Sequence, residues 1–166
     1  MHTLFASLFA SLFAILLCGS STHSVKSEIY LIPEGFEGRV NVIFRKRTKI
    51  TARYENAKRV YIIPSDGILV SDYEFQEGMI NREFFILDSR GQRAPLLVFD
   101  GKNPVNDELR IFNNGTLGVY GNSDSNLKRY YHEFLVTSKN KIDKYFSMDS
   151  IAEFEAKVKR KIRVKF

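Results

Sequence analysis

Residues 28–166 read as one mainly β domain, an antiparallel β-sandwich of about nine or ten short strands with one C-terminal helix near 150–162. Three observations predict it. Aromatic side chains make up 13% of the chain, carried by 14 Phe and 8 Tyr without Trp, and such bulky residues suit a pleated, half-buried surface. The apolar residues come in short runs, broken every few positions by Gly, Pro, Asp or Ser. Near residue 150 the apolar period changes from about 2 to about 3.6.

The strand series opens with EIYLI from Glu28. RVNVIF alternates Val40, Val42 and Phe44 against Asn41 and Ile43, the pattern of a half-buried strand. ITARY, RVYII, GILVS, REFFILD, PLLVF and LRIF follow, and YYHEFLVTS closes the series. Between LRIF and TLGVY, Asn113-Asn114-Gly115 carries a two-residue hairpin signal, because Asn-Gly accepts the positive φ angles of a type I′ turn. In SIAEFEAKVKRKI, the spacing of Ile151, Phe154, Val158 and Ile162 places them on one helical face. Ser150 and Glu153 form a capping box at its start. The alternation of Ile162, Val164 and Phe166 predicts a short terminal strand.

One phrase occurs twice, as YLIPEGFEG from Tyr30 and YIIPSDG from Tyr61. Pro33 suits the second position of a type I turn and Gly35 its fourth; Pro64 and Gly67 repeat the arrangement with one more residue, Gly67 taking the left-handed conformation. Both prolines fall at strand ends, since proline cannot donate to an interior ladder. Tyr30 shares a face with Ile32, and Tyr61 with Ile63. The two phrases therefore read as equivalent corners of a sandwich, each turning one strand into the next.

Ahead of the domain, Leu4 to Leu17 form an uncharged apolar run with a four-residue repeat, LFASLFASLFAILL. It is short for a membrane span, which takes about 17–25 residues, and fits the apolar centre of an export signal. The run ends in ILLCGSS, so residues 1–18 read as a signal that stops at a lipobox-like cysteine, Cys18, the expected lipidation site. The alternative is an ordinary signal cleaved after Ser20, giving a secreted or periplasmic soluble protein. Residues 19–27, GSSTHSVKS, are small and polar and read as a flexible tether. Because Cys18 is the single cysteine, the domain cannot form an intrachain disulfide.

Taken together, YLIPEGFEGRVNVIF, RVYIIPSDGIL and FFILDSRGQR resemble a family of small bacterial lipoproteins known only as a domain of unknown function. The pattern Y-x-I-P-x-G-[FY]-x-G, then an alternating strand, then R-V-Y-x-I-P-x-x-G-I-L, is matched from about Tyr30 to Arg93. The resemblance implies an export signal, a lipid anchor and an envelope location facing the periplasm or the cell surface. It implies no activity and no catalytic residue. This sequence has Ala57 and Lys58 where the family has a glycine-containing turn before Arg59, so that connection is expected to differ.

The net charge of +6 belongs to the end of the chain, where Lys157, Lys159, Arg160, Lys161, Arg163 and Lys165 occur without an acid among them. They are the candidate site for an anionic surface, or simply a solvated helix face suited to the negative end of the helix dipole. An exported protein with a neutral body is a poor match for nucleic acid. The domain contains one histidine, His132, which beside Glu133 reads as surface decoration. The oxygen-rich loops DGKNPVND and GNSDSN lack the ligand spacing of a calcium loop, and no metal or cofactor is expected. These features make the leading expectation a binding or structural module of the envelope, held at the membrane by its lipid, with an envelope protein or polysaccharide as partner. The alternative is a periplasmic, hydrolase-like enzyme, which would need a polar pocket formed near His132, Glu133 or Asp107.

Overall fold

The two Tyr-containing phrases lie side by side. In the computed structural model of the protein, which describes residues 26–44, 53–102, 107–121 and 128–162, each phrase ends a strand of one sheet and carries the chain into the other. β1 (Glu28–Pro33) leads to β2 (Gly38–Phe44), and β4 (Lys58–Ile62) leads to β5 (Ile68–Ser71). β1 and β4 are parallel neighbours with Tyr30 opposite Tyr61, and β2 and β5 are parallel neighbours with Val42 opposite Leu69. The protein thus contains two stacked β-arches, one laid on the other in register.

The remaining strands build outward from this pair. β3 (Arg53–Glu55), β6 (Arg82–Leu87) and β7 (Arg93–Pro95) complete a five-stranded sheet in the order β3-β4-β1-β6-β7. β8 (Arg110–Tyr120) and β9 (Arg129–Thr137) complete a four-stranded sheet in the order β5-β2-β9-β8. The fold is therefore mainly β, with nine strands in two sheets among the described residues, followed by α1 (Ile142–Phe146) and α2 (Met148–Ile162). The expected all-antiparallel pairing does not hold, because β1 pairs in parallel with both β4 and β6, and β2 with β5. A parallel neighbour needs a crossover, and here a strand of the opposite sheet supplies it.

Between the sheets, Tyr30, Ile32, Tyr61, Ile63 and Phe84 of the first meet Val40, Val42, Phe44, Phe134 and Val136 of the second. Tyr30 stacks on Tyr61 with centroids 4.8 Å apart and on Phe84 at 5.0 Å, and Phe134 meets Tyr30 edge-on at 5.3 Å. Such pairs stabilise a core by about 0.5–1.5 kcal/mol each beyond the area they bury. The outer face of β2 is covered as well. Ile43 and Ile68 pack against Val158, Ile162 and Phe154 of α2, so RVNVIF is not the half-exposed strand that its alternation suggests. On the other side, Arg93 of β7 donates to both carboxylate oxygens of Glu55 on β3, at 2.7 Å each. In a flat sheet those edges would stand about 19 Å apart, at roughly 4.8 Å per strand. The five-stranded sheet is therefore coiled, and Ile29, Leu31 and Val60 form a small second core on its concave outer face.

Three local expectations are corrected. Asn113-Asn114-Gly115 makes no hairpin; it forms an irregularity inside β8 between Phe112 and Thr116, and its positive φ angles at Asn113 (53°) and Gly115 (134°) serve that bulge. α2 starts at Met148, where Ser147 Oγ accepts the Ser150 amide at 3.3 Å, so the cap lies one turn before the expected Ser150–Glu153 box. PLLVF is mostly not strand: β7 stops at Pro95, and beyond it Val98 bridges to Ile111. The terminal strand expected around Val164 and Phe166 lies outside the described residues. The β3–β4 connection turns without glycine. Asn56 (φ 47°) and Ala57 (φ 63°) both sit in the left-handed region, giving a two-residue turn of type I′ character without glycine.

The corners themselves differ in detail. Phe36 N–H bonds to Pro33 O at 3.1 Å, which makes Pro33 the first residue of its turn and puts Gly35 third, at φ 76°. That is a type II arrangement, not type I with Pro33 second. In the other corner Gly67 N–H bonds to Pro64 O at 2.9 Å, with Gly67 at φ 74°. A Cβ on Gly67 would lie 2.2 Å from the Arg39 carbonyl oxygen, whereas one on Gly35 would meet nothing within 4 Å. Gly67→Ala should therefore destabilise the fold by about 3 kcal/mol or more, combining left-handed strain with a backbone clash, and Gly35→Ala by only about 1–2 kcal/mol. Ala57→Gly should stabilise it by about 1 kcal/mol by relieving the same strain. Denaturant unfolding of the three variants measures the ranking, and equal losses at the two glycines would refute the nested-corner geometry.

Candidate functional site

The expected site residues do not form one constellation. Cys18, Arg163 and Lys165 lie outside the described residues. On α2, Lys157 pairs with Glu153 at 2.7 Å and Lys161 reaches Asp66 in the second corner at 2.5 Å. Lys159 stands 3.9 Å from Glu155, and Arg160 Nε donates to the Ala156 carbonyl at 3.4 Å. Much of the basic stripe is thus neutralised by its own helix and by the corner beneath it.

His132 is placed where sequence reasoning did not put it. It is 1% exposed, in the core, with Nδ1 3.0 Å from the Tyr30 hydroxyl. β9 pairs with β2 so that His132 faces the first sheet while its neighbour Glu133 faces the helices. Tyr30 donates to Glu28 Oε2 at 2.7 Å, Tyr61 donates to Glu28 Oε1 at 2.9 Å, and Arg82 Nε donates to Oε2 at 3.0 Å. With the Tyr30 proton committed to Glu28, His132 is the donor through Nδ1–H, and its Nε2 is left buried without a partner. Burial, and secondarily the Arg82 charge, lowers the His132 pKa to about 3. Burial and the Glu28 charge raise those of Tyr30 and Tyr61. This cluster cannot reach a substrate. Glu133 is bound to Arg39 and Asn41, and Asp107 accepts from Asn140, so the three residues that would mark an enzyme pocket do not converge.

A cleft of about 370 Å³ does lie at the corners. Its walls are Phe36 to Arg39 of the first arch, Ser65 and Asp66 of the second, and Lys144, Tyr145, Ser150, Phe154 and Lys157 of the helices. The stacking of the arches puts both turns on one edge, and Tyr145 O locks α1 there by accepting from Arg39 at 2.6 Å. The carboxylates are occupied: Glu37 by Thr137 (2.7 Å) and Lys141 (3.0 Å), Asp66 by Lys161, Glu153 by Lys157. Those partners hold Glu37, Asp66 and Glu153 below the usual carboxylate range despite some burial of the first two. Among the described residues, no group of three or more His, Cys, Asp or Glu is placed to hold a metal.

A family model described as a family of unknown function (DUF6843) matches residues 24–146, from the end of the expected tether through α1. The chain belongs to that family. Its match takes in both arches, both sheets and the Glu37 and Arg39 side of the cleft, and ends before α2. A solved structure named "Putative Lipoprotein from Bacillus anthracis" shares the fold at a TM-score of 0.51 and 20% identity, over 68% of this chain and 71% of that one. No curated protein matches.

The missed residues had weak signals. Arg39 lies near the start of β2, and the helix cover, invisible to strand periodicity, leaves its side chain only 9% exposed. His132 in YYHEFLV alternates with Tyr131 and Glu133, and either face could have been the inner one. Its burial as a neutral ring has a measurable consequence. Unfolded, it takes up a proton near pH 6.5, while folded it does so only near pH 3, so stability is lost as pH falls below about 6.5. Between pH 6.5 and 5.5, above the carboxylate range, the loss should approach about 1.4 kcal/mol per pH unit. His132→Phe should flatten this slope in urea unfolding, and an unchanged slope would mean that His132 is solvated.

Proposed function

We propose that this protein is an exported lipoprotein of the bacterial envelope, held by a lipid on Cys18 through the 19–27 tether, whose β domain is a binding module. The observation that carries the binding part is the cleft at the stacked corners, which is lined by elements from both arches and both helices. The apolar run from Leu4 and the Cys18 box support the anchored location, as does the name of the Bacillus anthracis relative. Lys26 exchanges two backbone bonds with the Gln76 side chain, each 3.1 Å, and Ser27 O accepts from Arg59 N–H, so a tether ending there would deliver the domain from a fixed point. In this arrangement the cations on α2 would add a modest electrostatic attraction to an anionic surface, on the order of 1 kcal/mol for each one left unpaired near it. The hydrolase alternative loses ground because His132, Glu133 and Asp107 point to three different places.

The anchor is testable directly. Radiolabelled palmitate fed to expressing cells should enter the protein, and Cys18→Ser should abolish the label and shift the protein to the soluble fraction. A parent without label, or a variant labelled as strongly, would overturn the lipoprotein reading.

A further inference from the structure

The end of the domain opposite the corners is where the chain enters it. β1, β4 and β6 run in parallel from this end, and β2 reaches it at Phe44. The loop that joins β5 to β6, residues 72–81, is fixed here at three points. Gln76 exchanges two bonds with the Lys26 backbone, Glu74 O accepts from Arg59 at 2.7 Å, and Asn81 O accepts from the Glu28 amide at 2.9 Å. Held in this way, the loop puts Met79 into solvent at 99% exposure, where its side chain adds nothing to the core. Phe75 of the same loop stacks on Tyr130 at 4.5 Å, and Val119, 42% exposed, lies opposite Tyr130 in the β8–β9 ladder. Two ammonium groups rest on rings of this surface. Lys26 lies 4.6 Å from the centroid of the exposed Tyr54, and Lys128 lies 4.8 Å from that of Tyr130. Glu74 and Glu77 share the loop with Met79, so the charge here is mixed and the apolar and aromatic groups set the preference.

Resting on the reading of the protein as a lipoprotein anchored through Cys18, we propose that this end of the domain docks on the phospholipid bilayer that holds the anchor, with Met79 and Val119 entering the interface. The tether decides the occupant. Eight residue steps join Cys18 to Lys26, a span of at most about 28 Å. A folded domain of this length, with a radius of gyration of about 14 Å, is wider than that span. A lipid on Cys18 therefore keeps the Lys26 end within reach of the bilayer, whether or not any other molecule is present. The groups found there suit such a boundary. Tyrosine rings sit at headgroup level, one side apolar and the hydroxyl wet, and lysine stems lie along apolar surface while their ammonium groups reach phosphate. A single methionine on a fixed loop enters the acyl boundary without any loss of core packing. The cleft at the corners, at the other end of both arches, then faces away from the bilayer.

The experiment uses the full-length protein, extracted from membranes and reconstituted into vesicles of phosphatidylcholine and phosphatidylglycerol with brominated acyl chains. The chain contains no Trp, so Met79→Trp supplies one fluorophore at the proposed contact. Ser89→Trp supplies one at the corner end, on the exposed turn that follows Leu87, which pairs with Pro33. Both positions are exposed, and both variants should melt with the parent. The fluorophore at position 79 should shift to the blue and be quenched by the brominated chains, while the one at position 89 should do neither. Adding Val119→Asp to Met79→Trp should reduce the quenching. A fluorophore at position 79 that stays unquenched, equal quenching at position 89, or quenching that Val119→Asp leaves as it was would overturn the proposal. Palmitate labelling of Cys18 is scored separately. A labelled chain that is silent at position 79 sinks the docking and leaves the anchored location standing. A chain without label is added to preformed vesicles of the same lipids; quenching at position 79 there supports docking while the anchor falls, and its absence removes both.

Discussion

Glu28 accepts hydrogen bonds from Tyr30, Tyr61 and Arg82 inside a core that is otherwise aromatic and aliphatic, and the pairing of the first sheet follows from that arrangement. A buried carboxylate costs several kcal/mol to desolvate and is tolerated only when its partners are in place. Those partners come from β1 itself, from β4 and from β6, the two strands that flank β1 in parallel. A slip of one residue would turn Glu28 to the outer face and move both tyrosines out of the core. Through Tyr30 the constraint continues across the sandwich to His132 on β9. One ionisable group thus holds three strands in register and ties the first sheet to the second.

In-register arches have a consequence at the turns. Once Tyr30 lies opposite Tyr61, the second corner must pass directly over the first. There Asn41 N–H bonds to Gly67 O at 2.8 Å, and the Arg39 carbonyl occupies the space where a Gly67 side chain would stand. Phe36, the extra bulk in the longer first corner, packs beside both Gly38 and Gly67. The difference in length between EGFEG and SDG therefore lets one turn wrap around the other, and glycine is required only where the backbones nearly touch.

How much of this could be read from the chain depends on the range of each signal. Strand positions, the two corners and the helical face of Val158 and Ile162 were legible because periodicity and turn chemistry are local. So was the left-handed character of Asn113 and Gly115, but not its use. β9 runs antiparallel along the whole of β8, from Arg110 opposite Thr137 to Tyr120 opposite Arg129, and this converts a hairpin signal into a bulge. Parallel pairing was illegible for the same reason: the crossover is a strand of the other sheet, and nothing within either phrase names its neighbour. The burial of Asn41 and His132, and the low exposure of the Arg39 side chain, depend on what covers β2 and β9, which strand alternation does not encode. The candidate cleft was legible only as a pair of corners, since Lys144 and Ser150 come from segments more than a hundred residues after Pro33.

A corner that is purely structural and a corner that binds a ligand look like rival explanations of the same repeated phrase. The stacking removes the rivalry. Two turns held on one edge by the Glu28 cluster form a rigid lip, because neither can move without breaking the register of its own sheet. α1 and α2 then close against that lip, fixed by Arg39 to the Tyr145 carbonyl and by Lys161 to Asp66. The polar groups displaced by this closure find partners, as Glu37 does in Thr137 and Lys141, while Arg39 Nε is left buried without one. The phrase that makes the corners stack is thus also what places them around a common cleft.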